Sequence, residues 1–432
     1  MTMAHLVSLG RATTTSSRGI VNAISKRQLS YLTASEEFPG TPATTPATPS
    51  SSSPTQTTLS NGLTIITEPS STTSTISLTF PSAGSSNETI SEAGASLANK
   101  CLSFKSTADA SSLAILRALE TAGATPFSFA GRKGAGLGFT AASGNGEDLV
   151  GLLGAQCAFE KWDVNEALGM AGSTIDMAMG NAQTVLTESL FAAAYGAQSP
   201  LGRPFHSPAT STGAITSFRE RTYVSSGAVL AATGISDHDG FVKAVEGSFD
   251  LPTGSPPSEG ATPAYMGGET RVYAPGAGMA HVAVAFSAAS ASSTVLNVLK
   301  YCFAGNDGVE SFAAPGLVGV YGFGGGDAVD ALCSTLTASL SSEAIMTAKK
   351  KAKADAVLAL GDGSKSLADA MTSGVLESGS FIAEAVGAAY DAVTEAEVNA
   401  ALSGMLKSNP AVAAVGDISS VPYHATIAAR FN

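Results

Sequence analysis

The fold is decided by two short segments, LSNGLTIITE at residues 59–68 and STISLTF at residues 74–80. In the first segment Asn61-Gly62 is a turn dipeptide, and a run of β-branched residues follows it. The second segment alternates polar and apolar side chains with the two-residue period of a strand. The two segments therefore predict two strands that pair with each other.

The elements that follow place the helices mostly after the strands. Helical patterns are expected near residues 91–102, 108–122, 146–159, 163–179 and 184–195, and strands near residues 125–130, 136–142 and 229–233. A group of strands followed by a group of helices is typical of the α+β class. A further helix ending near Gly247 closes this half of the chain.

The same order of elements restarts after a Pro-, Gly- and Ser-rich stretch at residues 251–264, which is typical of a linker. Strands are expected near residues 269–274, 281–286, 316–323 and 411–415, with helices from 292 to 303 and onward to about Lys407. We therefore predict an α+β protein of two similar tandem domains, each an antiparallel-rich sheet packed by helices. Their predicted bounds are residues 59–250 and 265–432.

The N-terminal region has a different composition from the rest. Residues 1–35 contain Arg, Lys, Ser and Thr, and the first acidic residue is Glu36. An acid-free leader of this kind predicts a mitochondrial or plastid transit peptide. Residues 36–58 are rich in Pro, Thr and Ser and predict a flexible spacer, because such a stretch has little apolar surface to bury.

Composition excludes several classes of function. The 432 residues carry a formal charge of −12 and no long basic block, so nucleic acid is not an expected partner. The longest uncharged apolar stretch, between Arg271 and Lys300, contains too many polar residues for a membrane span. The five histidines include no pair spaced to share one helix face, and His206 and His238 are predicted to be loop residues rather than ligands.

Three segments carry a resemblance to a known family: residues 59–68, the turn at residues 80–88, and Phe-Lys-Ser-Thr at residues 104–107. Together they resemble the opening of the mitochondrial processing peptidase family, which also includes the core proteins of ubiquinol–cytochrome c reductase, respiratory complex III. Active members carry the inverted zinc motif HxxEH on the first helix, shortly before a Phe-Lys-Gly-Thr sequence. In that motif two His side chains bind zinc, and the Glu between them polarises a water molecule.

The zinc motif is missing at the position where the resemblance places it. Counting back from Phe-Lys-Ser-Thr puts the first His at Leu97, the Glu at Lys100 and the second His at Cys101. Leucine cannot bind zinc, lysine puts a cation where a base is needed, and a single thiol does not hold a metal. The family's third ligand would fall near Asp176, in a register that the spacing leaves open. Because catalytic zinc needs three protein ligands, the resemblance implies no catalysis, no metal and no cofactor.

Later segments resemble core protein 2 of complex III in the order in which they occur, at residues 180–195, 199–204, 281–285, 316–323 and 413–417. This branch of the family implies a structural subunit on the matrix side of the mitochondrial inner membrane. It would pair with a core protein 1-like subunit and contact the cytochrome b and cytochrome c1 subunits of a dimeric complex. Contact with the membrane would occur only through those partners.

The alternative is the non-catalytic α subunit of the processing peptidase, which also lacks the zinc motif and binds presequences. That subunit presents a long glycine-rich loop in its second domain. The corresponding stretch of this sequence, residues 305–316, is predicted to be a short loop.

Overall fold

A computed structural model describes residues 53–142, 144, 146, 149–155, 162–209, 211–249, 251–257, 264–274, 279–288, 291–304, 308–314 and 316–431. The predicted transit peptide, most of the predicted spacer and the centre of the predicted linker lie outside these residues.

The strands of the described residues form two mixed sheets. They are β1 Thr55–Thr58, β2 Thr64–Glu68, β3 Thr73–Phe80, β4 Thr125–Ala130, β5 Ala135–Ala142, β6 Val229–Thr233, β7 Gly268–Tyr273, β8 His281–Ser287, β9 Val309–Ala314, β10 Leu317–Phe323 and β11 Ala411–Gly416. The first sheet has the order β1-β2-β6-β3-β5-β4, and the second has the order β7-β11-β8-β10-β9.

The two sheets share one topology. In the first, β2 is parallel to β6 and the other pairs are antiparallel. In the second, β7 is parallel to β11 and the other pairs are again antiparallel. Only β1 has no counterpart among the described strands of the second sheet. The predicted α+β fold with two similar sheet-and-helix units is confirmed.

The helices of the described residues follow each sheet's opening strands. They are α1 Ala95–Cys101, α2 Ser112–Thr121, α3 Val150–Ala155, α4 Asp163–Met179, α5 Ala182–Tyr195, α6 Thr212–Thr222, α7 His238–Ser248, α8 Ser293–Phe303, α9 Gly326–Thr337, α10 Ser342–Gly361, α11 Ser364–Ser378, α12 Ala383–Ala392, α13 Glu395–Leu406 and α14 His424–Ala428. None of the helices described is both long enough and apolar enough to cross a bilayer.

One face of each sheet packs against helices of its own half. Leu78 and Phe139 of the first sheet lie in a core with α2, α3, α6 and α7. Val284 and Val320 of the second sheet lie in a core with α8, α9, α10 and α13. Burial of apolar side chains on these faces is the main force that holds each half together.

The other face of each sheet is covered by a helix from the opposite half. Helix α5, from the first half, packs Leu190 and Phe191 against Ala283 and Ala413 of the second sheet. Helix α11, from the second half, packs Met371 against the face of the first sheet that carries Val229 and Ala231. The two halves therefore exchange one helix each, and neither sheet is covered on both faces without the other half.

The predicted pairing of the first two strands is wrong. Strand β6 lies between β2 and β3, parallel to one and antiparallel to the other. All five residues of β6 are buried, and a fully buried strand needs a hydrogen-bonding neighbour on each side. Asn61 and Gly62 do form a turn, but it joins β2 to β1, with Gly62 in the left-handed conformation at φ 86°.

The end of the predicted spacer is also wrong, because Thr55–Thr58 forms strand β1. His238 attaches this strand to the sheet, since its two ring nitrogens lie 2.8 Å from Thr57 Oγ1 and 2.8 Å from Thr67 Oγ1. Three further elements lie outside the predicted set: helix α6, helix α14, and strand β9, which occupies most of the predicted loop at residues 305–316.

Candidate functional site

The candidate site is helix α1, which packs against α4, α6 and the first sheet. Its start is fixed by Gly94, which adopts the left-handed conformation at φ 77°. A Cβ at Gly94 would lie 2.3 Å from the carbonyl oxygen of Ser207, so only glycine fits. The carboxylate of Glu88 accepts hydrogen bonds from the amides of Gly94 and Ser96, which satisfies donors at the start of the helix.

Leu97, at the first motif position, is buried and only 2% exposed. Its neighbours on the helix, Ala98 and Leu102, lie in one apolar cluster with Val164 of α4 and Ile215 of α6. Residues 97, 98 and 102 thus give α1 the environment of a core helix.

Lys100 and Cys101, at the other two motif positions, are both half-buried. Burial raises the pKa of the Cys101 thiol, and the nearby charges of Lys100 and Lys105 offset part of that rise. A thiol with a raised pKa is protonated at neutral pH, and the protonated form is a poor nucleophile and a poor metal ligand.

Asp176, the carboxylate nearest the expected third ligand, is exposed on α4. Helix α4 contacts the α1 cluster through Val164 and Ala167. Within the described ranges, no three His, Cys, Asp or Glu side chains are grouped so that they could hold a metal ion.

The Phe-Lys-Ser-Thr segment ties α1 to α4. Phe104 has a positive φ of 61°, which is uncommon for a residue with a side chain. The turn directs Lys105 Nζ to 2.7 Å from Glu166 Oε1, and the Ser106 amide donates to Asp163 Oδ2. Residues 104–107, which were used to locate the motif positions in the sequence, thus also hold the C-terminal end of α1 against α4.

Asn99, between the motif positions, makes the polar contacts that sequence reasoning missed. Its side-chain amide donates to the carbonyl oxygens of Ala95 and Ile215, and its Oδ1 accepts from Arg219 Nη1 at 3.3 Å. Arg219 is itself buried, with its guanidinium carbon 4.9 Å from the centre of the Tyr223 ring. No sequence motif could have indicated this contact, because the two residues lie on α1 and α6.

Glu88 is an unusual buried carboxyl group. Desolvation raises the pKa of Glu88 to about 7, although the amide hydrogen bonds from Ser96 and Gly94 and the charge of Arg203 act in the opposite direction. Arg203 Nη2 donates to the Glu88 carbonyl oxygen at 2.7 Å rather than to its carboxylate. The start of α1 therefore depends on a group that changes charge near neutral pH.

A second buried carboxylate, Glu188, lies on the exchanged helix α5. Its side chain is 8% exposed and accepts from Arg132 Nη2 at 2.6 Å and from the Phe205 amide at 2.9 Å. His206 Nδ1 lies 2.9 Å from its other oxygen. His206, predicted to be a loop residue, thus contacts the buried carboxylate of Glu188. These contacts attach α5 to the first half while its apolar side covers the second sheet.

Comparison with known proteins confirms the resemblance derived from residues 59–107. The insulinase family (peptidase family M16) matches residues 63–209, the segment that contains α1 and α4. Two curated relatives are the probable mitochondrial-processing peptidase subunit alpha-2, chloroplastic/mitochondrial, of Arabidopsis thaliana and the mitochondrial-processing peptidase subunit alpha of Solanum tuberosum.

The first relative is 31% identical over 239 residues, 53% of this chain and 47% of the relative. The second is 30% identical over 275 residues, 60% of this chain and 53% of the relative. The chain thus spans about half the length of the curated relatives it matches.

The fold also matches a chain in a solved structure, complex III2 from Candida albicans with Inz-5 bound. The match has a TM-score of 0.74 and 17% identity, and it covers 87% of this chain and 99% of that chain. At this identity the match concerns the fold, and it extends over both sheet-and-helix units.

Proposed function

We propose that this chain is a non-catalytic structural subunit of mitochondrial complex III, in the position of a core protein 2. The match to a chain in a solved structure of complex III supports this proposal. That match covers 99% of the complex III chain and 87% of this chain. The proposed role is assembly and support of the dimeric complex. No electron-transfer chemistry would pass through this chain.

The observation that carries the non-catalytic part of the proposal is the burial of Leu97. The family's first zinc ligand would stand at this position, and a 2% exposed leucine occupies it. Lys100 adds a positive charge one turn away, which opposes binding of a cation. The helix that carries the motif in active relatives is thus retained here as part of the core.

Several expectations accompany the proposal. The chain would lie on the matrix side of the mitochondrial inner membrane, paired with a core protein 1-like subunit and near the cytochrome b and cytochrome c1 subunits. Mitochondrial import is supported by the acid-free leader and by the names of the curated relatives. We also propose residues 251–264 as the boundary between the two domains, with no metal or cofactor in either.

The test is recovery of the native complex from mitochondria solubilised in mild detergent. An affinity tag at the C-terminus of this chain should recover cytochrome b and cytochrome c1, identified by their absorbance spectra and by mass spectrometry. A matched control is the same tag on an unrelated matrix protein. Recovery of this chain without cytochrome b would overturn the proposal.

A second candidate is the α subunit of the processing peptidase, because both curated relatives named above are α subunits with at least 30% identity. An α subunit would be recovered with a partner that has an intact HxxEH motif. Depletion of the chain would then stop presequence cleavage in matrix extracts. Normal cleavage in depleted extracts, together with recovery of cytochrome b, would exclude this candidate.

A further inference from the structure

Arg203 has buried hydrogen-bond donors that lack an acceptor. Its Nη2 atom donates to the main-chain carbonyl oxygen of Glu88 at 2.7 Å. Its Nε and Nη1 atoms are buried as well, and neither has a hydrogen-bond acceptor within the described part of the chain. A buried N–H group without an acceptor is unfavourable, and more so when it belongs to a charged side chain. The observed position of Arg203 therefore satisfies only part of its hydrogen-bonding capacity.

The side chain of Glu88 is a suitable acceptor for these donors. Its two carboxyl oxygens accept hydrogen bonds from the amides of Gly94 and Ser96, at 3.1 Å and 2.8 Å. The charge of Arg203 lowers the pKa of Glu88, so the guanidinium and the carboxyl group are close enough to interact. Each oxygen of an ionised carboxylate can accept more than one hydrogen bond. A charged Glu88 can thus bind the start of α1 and Arg203 at the same time.

The other charged groups packed around Glu88 have partners of their own or are exposed. They are Glu92 and Arg221, which pair with each other at 2.5 Å, Arg132 and His206, which both contact Glu188, Arg219, which contacts Asn99, and the exposed Lys133. Glu92 lies in the same turn as Glu88, and its charge raises the pKa of Glu88. None of these contacts supplies a carboxylate to Arg203, which leaves Glu88 as its counter-charge.

Arg203 belongs to a segment, residues 199–209, that joins α1 to α5. The carbonyl oxygen of Ser207 lies against Gly94, where an added Cβ would approach it to 2.3 Å. The Phe205 amide and His206 Nδ1 contact the carboxylate of Glu188 on α5. A change in the position of Arg203 would therefore alter how residues 199–209 are attached to the start of α1.

We propose that Arg203 and Glu88 form a pH-dependent latch between residues 199–209 and the start of α1. When the Glu88 carboxyl group is protonated, Arg203 binds only the main-chain carbonyl of Glu88, as in the structure. When Glu88 releases its proton to solvent, Arg203 turns so that Nε or Nη1 donates to the carboxylate. Hydrogen bonds between two charged groups are stronger than those to a neutral carbonyl, so the segment is then held more tightly.

The latch operates near neutral pH, because burial raises the pKa of Glu88 to about 7. The new hydrogen bonds offset part of the cost of ionising a buried carboxyl group. The folded chain as a whole still loses stability as pH rises through this range, since the pKa of Glu88 is raised above its unfolded value. The inference does not depend on the proposed function, because it concerns a single chain and needs no partner.

Crystal structures of the full-length chain at about pH 5.5 and about pH 8.5 test the latch directly. At the lower pH, Arg203 Nη2 should remain on the Glu88 carbonyl oxygen. At the higher pH, Nε or Nη1 should lie about 3 Å from a carboxylate oxygen of Glu88. An Arg203 side chain in the same position at both pH values would overturn the proposal, whether or not ordered water contacts Nε and Nη1.

Hydrogen exchange at the Arg203 Nε–H group, followed by NMR, measures the same change in solution. Relative to free arginine at the same pH, exchange in the wild-type chain should slow about tenfold between about pH 6 and about pH 8. In Glu88→Gln the side chain keeps its shape but does not ionise, so this relative rate should stay constant. A constant relative rate in the wild-type chain, or the same change in both proteins, would refute the latch.

The Phe205 amide reports on the attachment of residues 199–209. Its protection should rise several-fold between about pH 6 and about pH 8 in the wild-type chain. In Arg203→Gln the side chain still donates through its amide but carries no charge, and the rise should fall below about twofold. The control is the Leu296 amide of α8, which donates to the Ser292 carbonyl at 3.0 Å and should behave alike in both proteins. An equal rise at Phe205 in both proteins would contradict the role of Arg203.

Discussion

The two halves share a topology but differ in what they bury. The buried charged residues of the described chain all lie in the first half: Glu68, Glu88, Glu92, Glu188 and Arg219. In the second half the buried polar residues are the neutral Thr335, Ser364 and Thr372. Since a buried charge is costly unless it is paired, the first half depends on specific polar contacts where the second depends on packing.

The starts of the two equivalent helices show the same difference. Helix α1 begins at a glycine and at the buried carboxylate of Glu88. Helix α8, its counterpart, begins at Ser292, whose hydroxyl accepts from the Val295 amide. A serine cap is independent of pH between 5 and 8, while Glu88 is not. We therefore expect substitutions in the first half to have larger and more pH-dependent effects.

The largest effect is expected from Glu188→Ala. The change leaves Arg132 buried without its carboxylate partner, which typically costs about 3–5 kcal/mol of the free energy of unfolding. Chemical denaturation of the purified chain measures the loss. Replacing both residues, as Arg132→Met with Glu188→Leu, should recover much of it. A loss below about 1 kcal/mol for the single variant would show that this ion pair does not anchor α5.

Leu97→Ala comes next, at about 3 kcal/mol, because the leucine is fully buried. The matched change in the second half is Leu299→Ala on α8, whose side chain is also fully buried. Similar losses in both, measured by thermal denaturation, would show that α1 and α8 serve as equivalent core helices. A loss confined to Leu299→Ala would contradict the view that α1 is part of the core.

Glu88→Gln should alter how stability depends on pH. The pKa of Glu88 is raised from 4.5 to about 7 in the folded chain, so the folded state holds the proton more tightly. Wild-type stability should then fall as pH rises from about 4.5 to about 7, and stay constant above that range. The glutamine variant lacks this loss and should gain on the order of 2 kcal/mol relative to wild type at pH 8 compared with pH 4.5.

The measurement is denaturant unfolding of both proteins at pH 4.5, 6 and 8. Ser292→Ala is the control, because it removes a helix cap without changing any titrating group. A constant difference between Glu88→Gln and wild type across this range would contradict a raised pKa at Glu88.

The smallest effect is expected from Ser364→Ala on the other exchanged helix. Ser364 Oγ lies 2.8 Å from Thr73 Oγ1 and 2.8 Å from Thr75 Oγ1, and these contacts attach α11 to the first sheet. Loss of a neutral hydrogen-bonding group should cost about 1 kcal/mol and should not vary with pH. A cost as large as that of Glu188→Ala would remove the distinction between the charged anchor of α5 and the neutral anchor of α11.

Individual elements were the most predictable part of the fold. Residues 163–179 were expected as a helix and 229–233 as a strand, and the structure has Asp163–Met179 and Val229–Thr233. Their periodicity is strong and depends only on neighbours in the sequence. Helix α6 was missed, because polar residues such as Arg219 and Glu220 interrupt its apolar pattern.

Partners across the fold could not be predicted. The apolar residues of α5 indicated burial, but periodicity does not say which sheet a helix covers. Strands β2 and β6 pair although helices α1 to α6 separate them in the sequence. The pattern of residues within one segment carries no information about such a distant partner. At the candidate site the sequence placed residues 97–101 on a helix, which is confirmed. It gave no indication of the Asn99–Arg219 contact, since those residues are 120 positions apart.

The exchange of α5 and α11 has a consequence for how the chain reaches its native state. A polypeptide that enters a compartment N-terminus first presents β2 and β6 long before residues 364–378 arrive to cover Ile66 and Val229. Until then the first sheet is an open apolar surface, which favours binding by chaperones and delays commitment to the native fold. Severing the chain between its halves would leave two fragments, each holding the helix that the other needs. Such fragments would regain structure only by binding each other.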